Sequence, residues 1–540
     1  MKAFIAKNWP LVAAILLFWL MIGLLLSQSI KQNEGHFVYL LDDAYIHMAI
    51  AKNFALHGVW GITRYEFSST SSSPLWTLLL TGLYLVFGVN EITSFILNLL
   101  FTTLILVVTH ILLRKRQLQP DFIFLTLLGM IFLIPLPSMV FTGLEHSLHI
   151  LITMLFATSA AQVIVTKKST LKDKSALWLF FLAPLVPFVR YEGIALLLLT
   201  AILLILYRHI RHALFLLLLG LAPITLFGLI SVAQGWFWLP NSVLLKGGAH
   251  DLSSLKGLVD FLGYRGYYQI VKIPSILLLF IVNLMLYFAG RKQQKPWTSA
   301  QILLLSSLLI TFLHLHFAAG DAQFNRYIGY LMGLGLLAFA LALAEHLPKD
   351  QTIFANLRDL VVKHTLLAIF PLFFLPFVCI LNTQRMLDIP RGTTNIYEQH
   401  YQEALFLKTF YPGVIVAAND IGAINFLTDI RCIDLVGLGT LETAKKILKN
   451  EYQGKAILAA AKDAKIAIIY DSWLEHFGKD YQAVWHKAGS WTIPKNVVAG
   501  GNQVSFYAID PAAEATLIQN LKAFAKKLPA EVTQTGKYVE

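Results

Sequence analysis

Long apolar stretches separated by short polar turns recur along most of this 540-residue chain, and the pattern changes near residue 383. A helix needs roughly 20 mostly apolar residues to cross about 30 Å of hydrocarbon. Segments of that kind fall near 9–30, 91–113, 121–141, 147–166, 176–190, 193–207, 213–233, 273–290, 299–317, 327–345 and 364–382. About eleven spans are therefore predicted, the fifth and sixth being short. Two further apolar stretches are too short to cross. Residues 74–87 (PLWTLLLTGLYLVF) open with proline, and residues 43–56 place Ile46, Ile50 and Phe54 at helical spacing. Both are predicted to lie on the membrane as interfacial helices of a first external loop over 31–90, joined by the Ser-rich linker SSTSSS at 68–73.

Beyond residue 383 the chain reads as a water-soluble α/β domain. Strand-like runs at 414–419, 432–437, 466–470 and 504–509 alternate with helix-like stretches such as 441–448 and 512–527. Leu528 onward is expected to be a frayed tail. The predicted organisation is a transmembrane catalytic domain over 1–382 and a periplasmic α/β domain over 383–540.

Composition agrees with a polytopic membrane protein: 57% of residues are apolar and 14% charged, against about 25% charged in soluble domains. The net charge of +12 invites a nucleic-acid reading, but its distribution removes it. The N-terminus and the short loops assigned to the cytoplasm hold 17 Lys and Arg against 5 Asp and Glu, so the whole excess lies on one side. That bias predicts a cytoplasmic N-terminus, a periplasmic C-terminal domain and an uncleaved N-terminal anchor. Cys379 and Cys432 offer neither a disulfide framework nor metal-ligand spacing. Phosphate-binding loops, dinucleotide fingerprints, HExxH zinc motifs and nucleophile elbows are missing from the sequence.

Candidate chemistry starts with Asp42 and Asp43 in the stretch LDDAYIHMAIAK, residues 41–52. Two adjacent carboxylates at a membrane surface repel and raise one another's pKa, so the pair reads as the catalytic base of a membrane enzyme. Arg326, Arg190 and Lys246 are the basic residues to neutralise a lipid phosphate; snorkelling to headgroups is the competing reading. Glu145 and Glu192 would bind sugar hydroxyls or pair with nearby cations. His314 and His316 share a helix, where a buried, hydrogen-bonded histidine is the plainer interpretation. Trp236, Trp238, Tyr264, Tyr267 and Tyr268 fit either a sugar or prenyl groove or an aromatic belt. No metal site is read from spacing, although the aspartate pair leaves Mg²⁺ or Mn²⁺ open.

The pattern LDDAYIHMAIAKNFALHGVWG…SSTSSSPLWTLLL resembles the first-loop signature of bacterial GT-C fold glycosyltransferases that use polyprenyl-phosphate sugars, the arabinofuranosyltransferase group above all. Further matches are TGLEHSLHILI (142–152), VRYEGIALL (189–197), LPNSVLLK (239–246), NRYIGYL (325–331) and DIGAINFLTDIRCIDLVGL (420–438). Tyr191 stands where the motif leads one to expect proline. The resemblance implies a GT-C-like membrane fold with Asp42 as general base and Asp43 as its partner. It implies that Arg326, Arg190, Lys246, Glu145, Glu192, Tyr191, Asn241 and His316 bind substrate. The implied partners are a polyprenyl-phosphate sugar donor, a hydroxyl of an envelope glycan, lipid or protein as acceptor, and the bilayer of a bacterial inner membrane. A transporter or flippase of lipid-linked sugars is the alternative, which the lack of inverted hydropathy halves and the large external domain disfavour.

Overall fold

A computed structural model describes residues 2–246, 273–291, 296–317, 323–346 and 365–539. All eleven predicted segments are helical. Among the described residues seven helices are long and apolar enough to cross a membrane, and eight if Pro120–Leu133 and Leu136–Thr142, bent by 43°, form one span. Lys174–Val189 and Gly193–Leu206 are apolar but shorter, and Thr365–Leu387 is a further helix of 23 residues. The bend falls at Pro135, where proline removes a donor from the helical ladder. Asn382 covers the carbonyls freed there, its Nδ2 donating to Phe132 and Leu133 at 3.1 and 2.9 Å.

Leucines project outward at four-residue spacing where helices meet lipid, as with Leu16, Leu20 and Leu24, or Leu214 and Leu218. Inside the bundle His146–Val165, Ser299–His316 and Arg326–Leu343 are the most buried of the candidate spans. The site is built at the ends of these inner helices.

The first loop departs from expectation. Its helices, Asp43–His57 and Pro74–Phe87, occur where predicted, and Leu85, Val86 and Phe87 are exposed as a lipid-facing end requires. Asp43–His57, however, is not a surface helix: residues 44–51 are all buried, between Pro74–Phe87 and the C-terminal helix Ala423–Leu427. Periodicity finds one apolar face but cannot see that a second domain covers the other. The serine-rich stretch is likewise no solvated linker. Ser68, Ser69, Thr70, Ser71 and Ser73 are buried, and Ser71 Oγ bonds His47 Nδ1 at 3.0 Å and Thr77 Oγ1 at 2.9 Å.

The C-terminal domain carries a six-stranded sheet: β1 (Ile415–Ala418), β2 (Arg431–Asp434), β3 (Ile466–Ile469), β4 (His486–Thr492), β5 (Gln503–Ala508) and β6 (Thr533–Thr535). The spatial order is β2-β1-β3-β5-β4-β6. β1 is parallel to β2 and β3, with Val416 opposite Cys432 and Ile466, while the β3–β5, β5–β4 and β4–β6 pairs are antiparallel. β4 and β6 escape the sequence pattern because HKAGSWT and TQT show no apolar alternation. The tail is ordered for the same reason. β6 hydrogen-bonds to β4, and Leu528, Val532 and Tyr538 pack into the core.

The two parts interlock. Asn33 and Thr394 bond at 2.8 Å, and Tyr397 donates to Glu34 at 3.0 Å. Lys52 Nζ donates to the carbonyls of Asn425, Phe426 and Thr428 at 2.8, 2.6 and 3.2 Å, the C-terminal end of Ala423–Leu427, where the helix dipole favours a cation.

Candidate active site

A small cleft lies where the first loop, the starts of the inner helices and the C-terminal domain meet. Its charged lining is Asp43, Glu145, Arg190 and Arg326, with His47, His146 and Tyr327 beside them. Local backbone chemistry sets each group. Leu136–Thr142 ends at Gly143 in the left-handed region (φ +68°), and a Cβ there would strike the Tyr39 ring. The reversal delivers Glu145 to the start of His146–Val165. Arg326 follows Asn325, which holds a left-handed conformation (φ +58°) that asparagine tolerates better than most residues. Asn325 is fixed by Asn382 Oδ1 at 3.1 Å and by Arg385 Nη1 at 2.6 Å. Asn325→Ala is expected to destabilise the protein by about 1–2 kcal/mol, read as a lower Tm in detergent.

Two arginines and their three ion pairs organise the cleft. Arg326 Nη1 lies 2.7 Å from Asp43 Oδ2, whose side chain is 34% exposed. Arg190 reaches Glu145 through Nη1 at 2.5 Å and grips Glu192 with Nε and Nη2 at 3.1 and 2.7 Å. Both guanidinium groups lie over the Tyr327 ring, 4.9 and 4.8 Å from its centre. Burial opposes ionisation of Glu192, but the charge and hydrogen bonds of Arg190 outweigh it and hold the carboxyl well below its usual range. Arg190 is thus saturated by two carboxylates, whereas the paired carboxylate of Arg326 is half open to the cleft.

Five buried polar atoms on the cleft wall have no hydrogen-bond partner among the described residues: Glu145 Oε2, which lies 3.8 Å from His47 Nε2, both ring nitrogens of His146, Thr70 Oγ1 and Ser242 Oγ. Such atoms are costly unless a ligand or water satisfies them. The cleft measures about 30 Å³, room for about one water, so a sugar phosphate enters only when side chains move apart. Near the far end of Asp43–His57 is a wide apolar cavity of about 890 Å³, lined by Phe54, Trp60, Phe67, Phe188, Leu226 and Phe227 among others.

Asp42 does not point into the cleft. Its oxygens accept the backbone N–H groups of Gly422 and Ala423 at 2.7 and 2.8 Å. Burial raises its pKa to about 6, against the lowering effects of His400 and those two amides. The expectation of Asp42 as base and Asp43 as partner therefore meets a geometry in which the two carboxylates diverge, Asp42 toward the C-terminal domain and Asp43 toward the cleft. Only glycine fits at 422: a Cβ would collide with the Asp42 backbone oxygen and lie 2.5 Å from its Oδ2. Gly422→Ala is expected to cost about 1–3 kcal/mol, measured as a fall in Tm.

Of the other predicted binding residues, Glu192 lies behind Arg190 rather than on the wall. Asn241 staples the loop to the C-terminal domain, its Nδ2 donating to the Gly437 carbonyl at 2.8 Å. Tyr191 is buried, its hydroxyl without a hydrogen-bond partner among the described residues. His316 bonds back to the Phe312 carbonyl at 2.7 Å. None of these four lines the cleft. The side chain of Lys246, and Tyr264, Tyr267 and Tyr268, lie outside the described residues. Sequence reading missed His47, His146, Thr70, Ser72, Ser242 and Leu438 as lining residues. Their signal was present, since all six fall inside the quoted motifs.

An inner helical bundle carrying an α/β domain at its end is a GT-C-like fold. The chain has the fold of ArnT from Cupriavidus metallidurans. It superposes on that protein bound to undecaprenyl phosphate with TM-score 0.51 and 11% identity, covering 91% of this chain and 98% of that one. The apo form gives TM-score 0.51 and 13% identity, covering 93% and 99%. Residues 394–507 match a family described as a domain of unknown function, DUF8728. No curated protein matches the chain by sequence.

Proposed function

We propose that the protein is a membrane glycosyltransferase that moves a sugar from a polyprenyl-phosphate donor to a hydroxyl of an envelope glycan, lipid or protein. The observation that carries this is the pairing of Asp43 with Arg326 across a cleft whose walls hold unsatisfied polar atoms. The donor phosphate takes over the Arg326 guanidinium and frees the Asp43 carboxylate. Asp43 then accepts the proton of the acceptor hydroxyl as its oxygen bonds to the anomeric carbon. The bond from that carbon to the phosphate oxygen breaks, and polyprenyl phosphate leaves with its new charge against Arg326. Glu145 and His146 are placed to hydrogen-bond the sugar, and Arg190 holds Glu145 in position.

The prenyl chain runs toward the apolar cavity around Phe54 and Trp60. From Asp43 to Phe54 is about 16 Å along one helix, within reach of a few isoprene units. The likeness to ArnT bound to undecaprenyl phosphate supports a lipid-phosphate donor. The clustering of basic residues in the loops of the opposite side supports a site facing the periplasm of a bacterial inner membrane, with the N-terminus cytoplasmic. The resemblance to arabinofuranosyltransferases makes a polyprenyl-phosphate pentofuranose the first donor to try. The test is incubation of the purified protein in lipid nanodiscs with radiolabelled polyprenyl-phosphate sugars and an envelope extract. Acceptor-dependent release of polyprenyl phosphate is the expected result; donor turnover absent with every sugar and extract overturns the reading.

A further inference from the structure

The buried hydroxyls of the serine-rich stretch 68–73 have no part in the transfer step, yet they surround one edge of the His47 ring. Ser71 Oγ lies 3.0 Å and Thr77 Oγ1 3.3 Å from His47 Nδ1. Ser71 Oγ accepts the Ser73 N–H at 3.1 Å, and Thr77 Oγ1 donates to the Ser73 carbonyl at 3.1 Å, which leaves the Ser71 proton for Nδ1. On the opposite edge His47 Nε2 faces Glu145 Oε2 at 3.8 Å. Arg190 engages the other oxygen of Glu145, and a carboxylate paired with a guanidinium only accepts. The imidazole proton therefore lies on Nε2, aimed at an oxygen it does not reach.

We propose that His47 and Glu145 together hold one hydroxyl of the transferred sugar, His47 Nε2 donating to it and Glu145 Oε2 accepting its proton. The assignment rests on the glycosyltransferase reading and adds the sugar chemistry that the site takes. Both residues line the cleft and are 5% and 1% exposed. Glu145 Oε2 has no hydrogen-bond partner among the described residues, a costly state unless a ligand brings a donor. The separation of 3.8 Å is too long for a hydrogen bond, but one oxygen can sit about 2.8 Å from both atoms.

A donor and an acceptor aimed at one point select a group that does both through a single atom. A hydroxyl does so. An ammonium only donates and would face the Nε2 proton, while a carboxylate or phosphate only accepts and would face Glu145. The sugar is therefore uncharged at this position. His47 follows Asp43 by four residues on the helix Asp43–His57, so the two share a face, about 6 Å apart along its axis. A hydroxyl held at His47 thus lies within a few bonds of the anomeric carbon attacked beside Asp43. Ser71 acts through His47 and is a positioning residue: its hydroxyl on Nδ1 keeps the ring proton on Nε2.

The probes are a short-chain prenyl-phosphate pentofuranose and its singly deoxygenated analogues, bound without acceptor to full-length protein in nanodiscs and followed by tryptophan fluorescence. Removal of one particular hydroxyl is expected to raise Kd about 10–100-fold for the wild type, because two buried polar atoms lose their match. In His47→Ala the same removal is expected to cost about fivefold less, since the two changes delete one shared interaction. Ser71→Ala is expected to weaken the intact donor about 2–10-fold and to shrink the penalty. His47→Gln, whose amide keeps a donor near Nε2, is expected to retain most of it. A penalty of equal size in wild type and His47→Ala for every analogue overturns the proposal, as does a wild type that binds every analogue as tightly as the intact donor. Coupled binding without transfer to any acceptor keeps this site and overturns the enzyme reading, and transfer without coupling does the reverse. A wild type that binds no donor overturns both. Should His47→Ala misfold, His47→Gln and Ser71→Ala complete the comparison.

Discussion

Asp43→Asn is expected to lower kcat for sugar transfer by about 10²–10⁴-fold, the usual contribution of a positioned general base, while Tm stays near the wild-type value. The amide keeps the size and hydrogen-bonding shape of the carboxylate but cannot take the acceptor proton. Asp43 is partly exposed at the cleft, where it pairs with Arg326. Asp42→Asn is expected to show the reverse profile. One of its oxygens becomes an amide nitrogen facing a backbone N–H of Gly422 or Ala423, so stability falls and the chemical step survives. Measuring kcat and Tm for both variants separates the two aspartates. Loss of turnover in Asp42→Asn at unchanged Tm, with Asp43→Asn active, overturns the assignment of Asp43.

Arg326→Ala is expected to reduce kcat/KM for the lipid-phosphate donor by about 10²–10³-fold, the effect of removing one donor that stabilises developing charge. Lysine is expected to recover only part of this, because an ammonium offers a point charge in place of a planar fork. The effect is specific to Arg326. Arg190 is locked between Glu145 and Glu192, so Arg190→Ala leaves two carboxylates uncompensated and acts through folding. If Arg326→Ala turns over donor at the wild-type rate, the phosphate is held elsewhere and the proposed orientation of substrate falls with it.

The helical framework was legible in the sequence because a helix long enough to cross a bilayer announces itself by length and apolarity alone. Four of the six strands were legible for a similar reason: IVAA, RCID, IAII and QVSFYA lie in apolar, β-branched or aromatic runs. β4 and β6 were not, since HKAGSWT owes its place to pairing with β5 and not to its own pattern. The site residues divide along the same line. Asp43, Glu145, Arg190 and Arg326 were identified by charge beside apolar segments, and the structure brings all four into one cleft. What the chain could not reveal locally was direction. Asp42 and Asp43 are neighbours in sequence, yet residue 422, some 380 positions away, decides which of them meets solvent. His47 and His146 were visible only as members of the quoted motifs.

The clamp of Asp42 on the Gly422 and Ala423 amides, with Lys52 gripping the carbonyls at the other end of that short helix, makes the membrane bundle and the sheet domain mechanically one object. A partner that docked on the sheet domain and tilted it would pull on the residue covalently next to Asp43. On the proposed reading, an acceptor held by the sheet domain would then register in the alignment of Asp43.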